Sequence, residues 1–302
     1  MAKARALDRR RRSVRNIRKI TRTMELIATA RFKKAMDRSV AARDYTKQLV
    51  KILENIASTG ADVVHPLLDV RPTTRTAVLV LSGNRGLCGG YNSNIVRQSV
   101  AILGQWKSER VDADVAVSGK RGISALKFRG IDIDQRFTEF EDKPSFDAVM
   151  PIGRAYLDAY AAGKIDRLDV VYTRFHSIAR QEAVTEMLLP LKAPDAVGTA
   201  TAGAAGGAGA PTQLASQEYD FYPSAESILE EILPASFLSR LFKCFLDAAV
   251  SEQVARMVAM KAASENAAGL IKNLSRRYNR ARQSQITGEI MEILGGVEAL
   301  KQ

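Results

Sequence analysis

What this sequence lacks narrows it first. No apolar run approaches the ~18 residues needed to cross a bilayer, so no spanning segment is expected. Only two cysteines occur, Cys88 and Cys244, far apart and outside any CxxC spacing, which predicts free thiols in a reducing compartment. The two histidines, His65 and His176, are isolated and lack ligand spacing, so neither a metal nor a cofactor is expected. No apolar stretch follows the basic start, so no secretory signal is read there. The start is Arg-rich and acid-poor, as mitochondrial presequences are, but a helical pattern runs through it without a cleavage-like break. The chain is expected to be cytosolic.

Residues 3–57 lack both glycine and proline. Apolar residues recur there at Leu7, Val14, Ile17, Ile20, Met24, Ile27, Leu49, Ile52, Leu53 and Ile56, mostly in steps of three, four or seven. This predicts one helix of about 80 Å, longer than a small domain is wide, whose stripe needs a partner helix. The other end supplies one. After Pro234 no further proline occurs, and Leu241, Phe245, Val250, Val254, Met257, Val258, Leu270, Ile271, Leu274, Ile286, Ile290, Ile293 and Leu294 continue a helical pattern. The expectation is an antiparallel intramolecular coiled coil, with Ala262, Ala263, Ala267, Ala268 and Gly269 allowing close approach.

Between these helices the period changes. Strand-like runs at 76–82, 113–118, 168–175 and 182–191 alternate with helical stretches at 91–107, 120–129 and 146–162, which predicts an inserted Rossmann-like α/β domain. The expected division is a helix over 1–60, the α/β domain over 70–222 and a helix over 223–302. Residues 198–211 have no charged or aromatic side chain, and 193–216 read as a flexible insertion unable to build a core.

Acidic residues are scarce in one place. Residues 1–43 hold 15 Lys/Arg against Asp8, Glu25 and Asp37, and the remaining chain is balanced, so the entire net charge of +12 sits on the first helix. Arg9, Arg10, Arg11 and Arg12 lead this cluster, with Arg15, Arg18, Lys19 and Arg22 after them. It reads as a solvated helix face or a nucleic-acid arm, although no aromatic residue precedes Phe32 to stack on bases. A second basic stretch, Lys272, Arg276, Arg277, Arg280 and Arg282, contains no acid between 272 and 282. The turn at 82–92 invites a phosphate-cradle reading, but it has neither GxxxxGK[ST] nor an ordered GxGxxG, since its glycines lie at 83, 86, 89 and 90.

Three regions together carry a resemblance: ITRTMELIA at 20–28, RGLCGGYN at 85–92, and SEQVARM at 251–257 with YNRARQ at 278–283 and ITGEIMEIL at 286–294. In this order and over nearly the whole chain they resemble the gamma subunit of F-type ATP synthases, the central rotor shaft. The resemblance implies a coiled coil inside a ring of alternating alpha and beta subunits. It also implies an α/β foot against the epsilon subunit and the membrane-embedded c-subunit ring, and no active site in the chain itself. Rotation of the shaft would drive the three beta-subunit sites through different nucleotide affinities. The location implied is the cytoplasmic face of a bacterial membrane, held peripherally, with the matrix side of the mitochondrial inner membrane as the alternative.

The same resemblance supplies partner-contact positions. Met24 would lie beside the beta-subunit loops, and by itself it reads as a soft core filler. Arg256, Arg282, Gln283, Thr287, Glu289 and Glu292 match the C-terminal motif and would contact the hexamer or the opposing helix. Arg85 and Cys88 would lie in a structural turn near the base of the beta subunits. Arg9, Arg10, Arg11 and Arg12 would form, with residues 272–282, a positive collar facing acidic beta-subunit loops rather than nucleic acid. Each of these positions also has a plain surface or interhelix reading. The chain departs from the family at Gly83 and Asn84, where an acidic residue is usual at the second position. It departs again in the 193–216 insertion, which lacks the regulatory cysteine pair of plastid gamma subunits.

Overall fold

The computed structural model describes residues 2–58, 65–140, 143–191 and 225–299. The 193–216 insertion lies outside them. The elements in order are α1 (Ala2–Ser58), β1 (Arg75–Leu81), α2 (Tyr91–Ser108), β2 (Asp112–Ser118), α3 (Lys120–Phe128), β3 (Gln135–Phe137), α4 (Phe146–Ala161), β4 (Arg167–Phe175), β5 (Gln181–Leu189) and α5 (Ala225–Ala299). They divide into two compact units. The smaller holds Met1–Ala30, Leu87–Gly89 and Val254–Gln302, and the larger holds Arg31–Gly86 and Gly90–Gln253.

The larger unit is built on a five-stranded sheet in the order β3-β2-β1-β4-β5. β1 pairs in parallel with β2 and β4, β2 with β3, and β5 returns antiparallel beside β4. β1 is central and covered on both faces, which is why its run from Thr76 to Leu81 is buried without alternation. Leu79, Leu168, Val170, Leu188 and Leu189 join Tyr160, Tyr172, Phe237 and Leu241 in one core. Each large side chain buried there contributes about 1.5–3 kcal/mol. Turns are set by specific groups: Ser145 caps α4 by accepting from the Ala148 N–H at 3.3 Å. Gly119 has φ 101°, and a Cβ there would collide with the Ser82 carbonyl.

The strand β3 has no counterpart in the sequence reading. It is three residues at the sheet edge, with no hydrophobic alternation to betray it. α5 begins upstream of Pro234 and runs through it. Within this unit the α5 segment lies on the sheet: Ser251 donates to the Thr173 carbonyl of β4 at 3.1 Å and Arg240 to Glu186 of β5 at 3.3 Å, while the Tyr91 hydroxyl of α2 donates to the Ala248 carbonyl at 3.1 Å and Phe245 packs on Phe140 at 4.9 Å. α1 meets α5 through the Thr46 and Ser239 hydroxyls, 2.7 Å apart, and meets β4 through Phe32 and Phe175, 6.3 Å between centroids.

The smaller unit is an antiparallel helical pair. Residues 4–12 of α1 share one groove with 278–286 of α5, and residues 10–14 share a second with 270–277, so the two chain directions oppose. Its seam keeps Leu7, Val14, Met24, Met257, Ile271 and Leu274 of the expected stripe and departs from it elsewhere. Ile17, Ile20 and Ile27 are exposed, and the α1 positions turned inward are Ala4, Leu7, Arg11, Val14, Thr21, Met24, Glu25 and Ala28. In the larger unit α1 continues the same three-four spacing at Phe32, Ala35, Ser39, Ala42, Thr46 and Leu49, while Ile52 is again exposed. The physical reason is length: this phase persists from 4 to 49, whereas the isoleucine phase lasts under two heptads.

On α5 the matching inward positions are Met257, Met260, Ser264, Ala267, Ile271, Leu274, Tyr278, Ala281 and Gln285. Of the small residues expected to admit a close approach, Ala267 is buried, Ala262 is exposed, and Gly269 faces open space. Val258, Leu270, Ile286, Ile290, Ile293 and Leu294, assigned by the sequence to the stripe, are exposed as well.

Candidate functional site: a partner-binding surface

The helical pair of the smaller unit is organised around a charged residue at a seam position. Arg11 sits between Leu7 and Val14, where an apolar residue is ordinary. Its guanidinium lies 4.6 Å from the centre of the Tyr278 ring and ion-pairs Asp8 at 2.6 Å. Asp8 also takes Arg12 at 2.7 Å. Desolvation alone would raise the Asp8 pKa, yet its hydrogen bond to Arg11 and the charges of Arg12 and Arg11 outweigh this and lower it. Two arginines of the cluster are therefore turned onto one carboxylate.

The remaining basic side chains gather where α1 and α5 run side by side. Arg10 lines a groove of about 460 Å³ with Val14, Leu270, Asn273, Leu274, Arg276 and Arg277. Arg9 and Arg12 line a second, of about 430 Å³, with Arg5, Asp8, Tyr278, Arg282, Gln285 and Ile286. The structure thus brings the basic stretch at 9–12 together with the one at 272–282. Like charges this close repel, and exposure to water with the Asp8 pairs offsets part of that cost.

Beyond Gln285 every described side chain of α5 up to residue 297 is exposed. Ile286, Ile290, Ile293, Leu294 and Val297 recur at helical spacing along this tip, with Met291 at 65 % exposure. Gln283, Thr287, Glu289 and Glu292 lie among them, and Gln285 donates to Glu289 at 2.8 Å. Met24 is half-buried in the seam, and Arg256 is buried on α5.

The glycine-rich turn is divided between the units, with Arg85 exposed in the larger and Cys88 buried in the smaller. Its first glycine amide, and two amides at the start of α3, are taken up by side chains of the turn. The Gly83 N–H donates to Asn92 Oδ1 at 2.9 Å, Lys120 N–H to Asn84 Oδ1 at 2.9 Å, and Gly122 N–H to Ser82 Oγ at 3.0 Å. Asn84 Nδ2 donates in turn to the Thr138 and Phe140 carbonyls, each at 3.1 Å. The donors at the start of α3 are thereby committed to the fold.

Sequence reasoning overlooked one polar cluster in the larger unit, around Glu186 on β5. Its carboxylate accepts from the Tyr172 hydroxyl at 2.6 Å, Arg174 at 2.7 Å and Arg240 of α5 at 3.3 Å. Arg174 and Glu186 lie on separate strands, and Arg240 is far along the chain, so no local spacing announces the group. Among the described residues no set of three or more His, Cys, Asp or Glu could hold a metal. No described helix is long and apolar enough to cross a membrane.

Comparison with known proteins places these features. The family model described as ATP synthase matches residues 3–300. The chain is 59 % identical over 302 residues to the ATP synthase gamma chain of Rhodopirellula baltica, covering all of both chains. It is 39 % identical over 297 residues to that of Frankia casuarinae, covering 97 % of this chain and 96 % of the other. Its fold is similar to a chain in the Euglena gracilis mitochondrial ATP synthase structure "OSCP/F1/c-ring, rotational state 3". The TM-score is 0.64 at 17 % identity, over 99 % of this chain and 95 % of that one. With both terminal helices, the intervening sheet and the full length accounted for, the chain belongs to the ATP synthase gamma chain family.

Proposed function

We propose that this chain is the central-stalk rotor subunit of an F-type ATP synthase, coupling ion flow through a membrane ring to ATP synthesis and hydrolysis by rotation. The observation that carries the reading is the inverted distribution of side chains on the helical pair. Small and polar residues fill much of the seam, while Ile17, Ile20, Ile27, the apolar tip at 286–297 and the arginines face outward. A surface of that kind suits a shaft enclosed by other subunits.

In this reading the alpha and beta subunits surround the helical pair, and acidic beta-subunit loops meet Arg9, Arg10 and Arg12 with Arg276, Arg277 and Arg282. Met24, Gln283, Thr287, Glu289 and Glu292 belong to the same contact surface, Arg85 is an exposed contact of the larger unit, and the buried Arg256 and Cys88 act within the chain. The sheet-containing foot meets the epsilon subunit and the c-subunit ring. The chain performs no chemistry itself. Each angular setting of an asymmetric shaft favours a different state of each catalytic site, so rotation changes nucleotide affinity in turn. Both sequence relatives reported above are bacterial, which supports peripheral attachment at the cytoplasmic face of the cell membrane.

Purification of the ATPase from native membranes tests the assignment, the expected result being one copy of this chain per three beta subunits. Neutralising Arg9, Arg10, Arg12, Arg276, Arg277 and Arg282 tests the collar. Weakened coupling is expected, and unchanged hydrolysis together with unchanged proton transport removes the collar from the mechanism. Salt-sensitive DNA binding by a chain free of ATPase subunits would instead favour a nucleic-acid role.

A further inference from the structure

A rotor needs its foot and its shaft helix to turn as one body, and in the larger unit the two meet where α5 lies on the sheet. Much of that contact is apolar: Phe237, Leu241, Cys244 and Phe245 enter the same core as Leu168, Val170 and Leu188. Apolar contact is strong and without direction, so it holds a helix against a sheet but resists sliding or rolling weakly. Hydrogen bonds and ion pairs are directional and short-ranged, so they fix one setting.

Polar links of this kind hold α5 to the sheet and to the start of α2. Arg240 donates to Glu186, the Ala248 carbonyl accepts from Tyr91, and Ser251 donates to the Thr173 carbonyl at 3.1 Å. They cover residues 240–251, about 16 Å of helix. The Tyr91 and Ser251 links are single neutral hydrogen bonds. The Glu186 link is different in kind. One half-buried carboxylate takes a hydroxyl and two guanidinium donors, with Tyr172 and Arg174 fixing it from β4 while Arg240 reaches it from α5. Donors from the sheet hold the acceptor still, so Arg240 meets a target that does not swing. Glu186 also stands on the edge strand β5, outermost in the sheet order, where leverage about the sheet centre is greatest.

We propose that Glu186 is a positioning residue of the rotor, locking the rotational setting of α5 on the sheet through Arg240 so that torque passes between foot and shaft without slip. The proposal rests on the rotor assignment, and the two are separable. If complexes carrying the unaltered chain pump protons on ATP hydrolysis and the Glu186 variants pump equally well, only the positioning role fails. If the unaltered chain neither assembles nor supports pumping, the rotor assignment fails.

The experiment uses the complete ATP synthase in inverted membrane vesicles, comparing proton pumping per ATP hydrolysed for the unaltered chain, Glu186→Gln, Arg240→Gln and the double variant. The expected result is assembled enzyme that still hydrolyses ATP but loses pumping per ATP in either single variant, with no further loss in the double variant because both remove one link. Pumping retained in Arg240→Gln overturns the proposal. So does an additive loss in the double variant, since that means the two side chains act separately. Should Glu186→Gln fail to assemble, Arg240→Gln and Arg240→Lys decide: loss in the first with partial recovery in the second supports the lock, and equal pumping in both overturns it.

Discussion

Asn84 uses all of its amide. Its oxygen accepts from the N–H that opens α3, and its nitrogen donates to the carbonyls of Thr138 and Phe140, tying a turn, a helix start and a loop together. An aspartate keeps the first contact and loses the others, because an ionised oxygen would then face two carbonyl oxygens. Asn84→Asp should destabilise the chain by about 1–2 kcal/mol at neutral pH. The new carboxyl would titrate above its ordinary value, so the loss should shrink as pH falls, which thermal unfolding at two pH values would show. Gly83 tells a milder story: a Cβ would meet the Glu252 carboxylate at 2.8 Å, but that is the far end of a flexible side chain.

Glu186 gives the acid limb of stability. Burial alone would raise its pKa, yet the donors Tyr172 and Arg174 and the charge of Arg240 overcome this and lower it. A lowered native value means a stabilising contribution that is full above the ordinary 4.5 and lost as pH falls below it. Asp169, buried on β4 with Arg167 at 3.0 Å, is shifted up by desolvation, and Arg167 offsets only part of this. Its contribution has the opposite sign and is lost as pH rises through the raised value. Glu186→Gln should cost about 3 kcal/mol at neutral pH and flatten the acid limb in pH-dependent unfolding.

Among the elements, α5 changes character along its length. Within the larger unit it is a buried helix, in the smaller one it is half of a pair, and from residue 286 it is a helix whose described side chains are all exposed. Deleting residues 286–302 should therefore leave the unfolding temperature within experimental scatter while reducing proton pumping per ATP in the assembled enzyme. A large drop in stability would mean that the tip folds back onto the chain. The elements differ in how far the sequence announces them. β1 is legible because a central parallel strand must be apolar throughout. Both terminal helices are legible because nothing interrupts them for tens of residues.

The seam is legible in part: Leu7, Val14, Met24, Met257, Ile271 and Leu274 stand in the stripe and face inward, but its alanine, serine and threonine positions carry little hydrophobic signal, while Ile17, Ile20 and Ile27 draw the eye to the outer face. Arg11 is hidden for a related reason, since a run of four arginines reads as surface although one of them occupies a core position. The sequence names the proposed contact residues but not their arrangement: only the helix pairing shows that Arg10 shares a groove with Arg276 and Arg277.

At the scale of the whole molecule, the net charge of +12 is confined to the first 43 residues and the remainder is balanced. Attraction to acidic partners is then local, and salt screens it over about 8 Å at physiological ionic strength. Raising salt should weaken attachment of the shaft to its hexamer more in the unaltered protein than in a chain with the grooves neutralised, measured as release of hexamer from membrane-bound rotor. The outward isoleucines have a consequence for the chain's life before assembly. A subunit that keeps its large apolar residues for others has an unfinished surface whenever those others are absent, and only its arginines keep it apart from its own copies. Made alone it should aggregate, increasingly as salt screens that repulsion, and made with its partners it should stay in solution. Supply of this chain in step with the subunits that cover it is thus a condition that the placement of Ile17, Ile20 and Ile27 imposes on the cell.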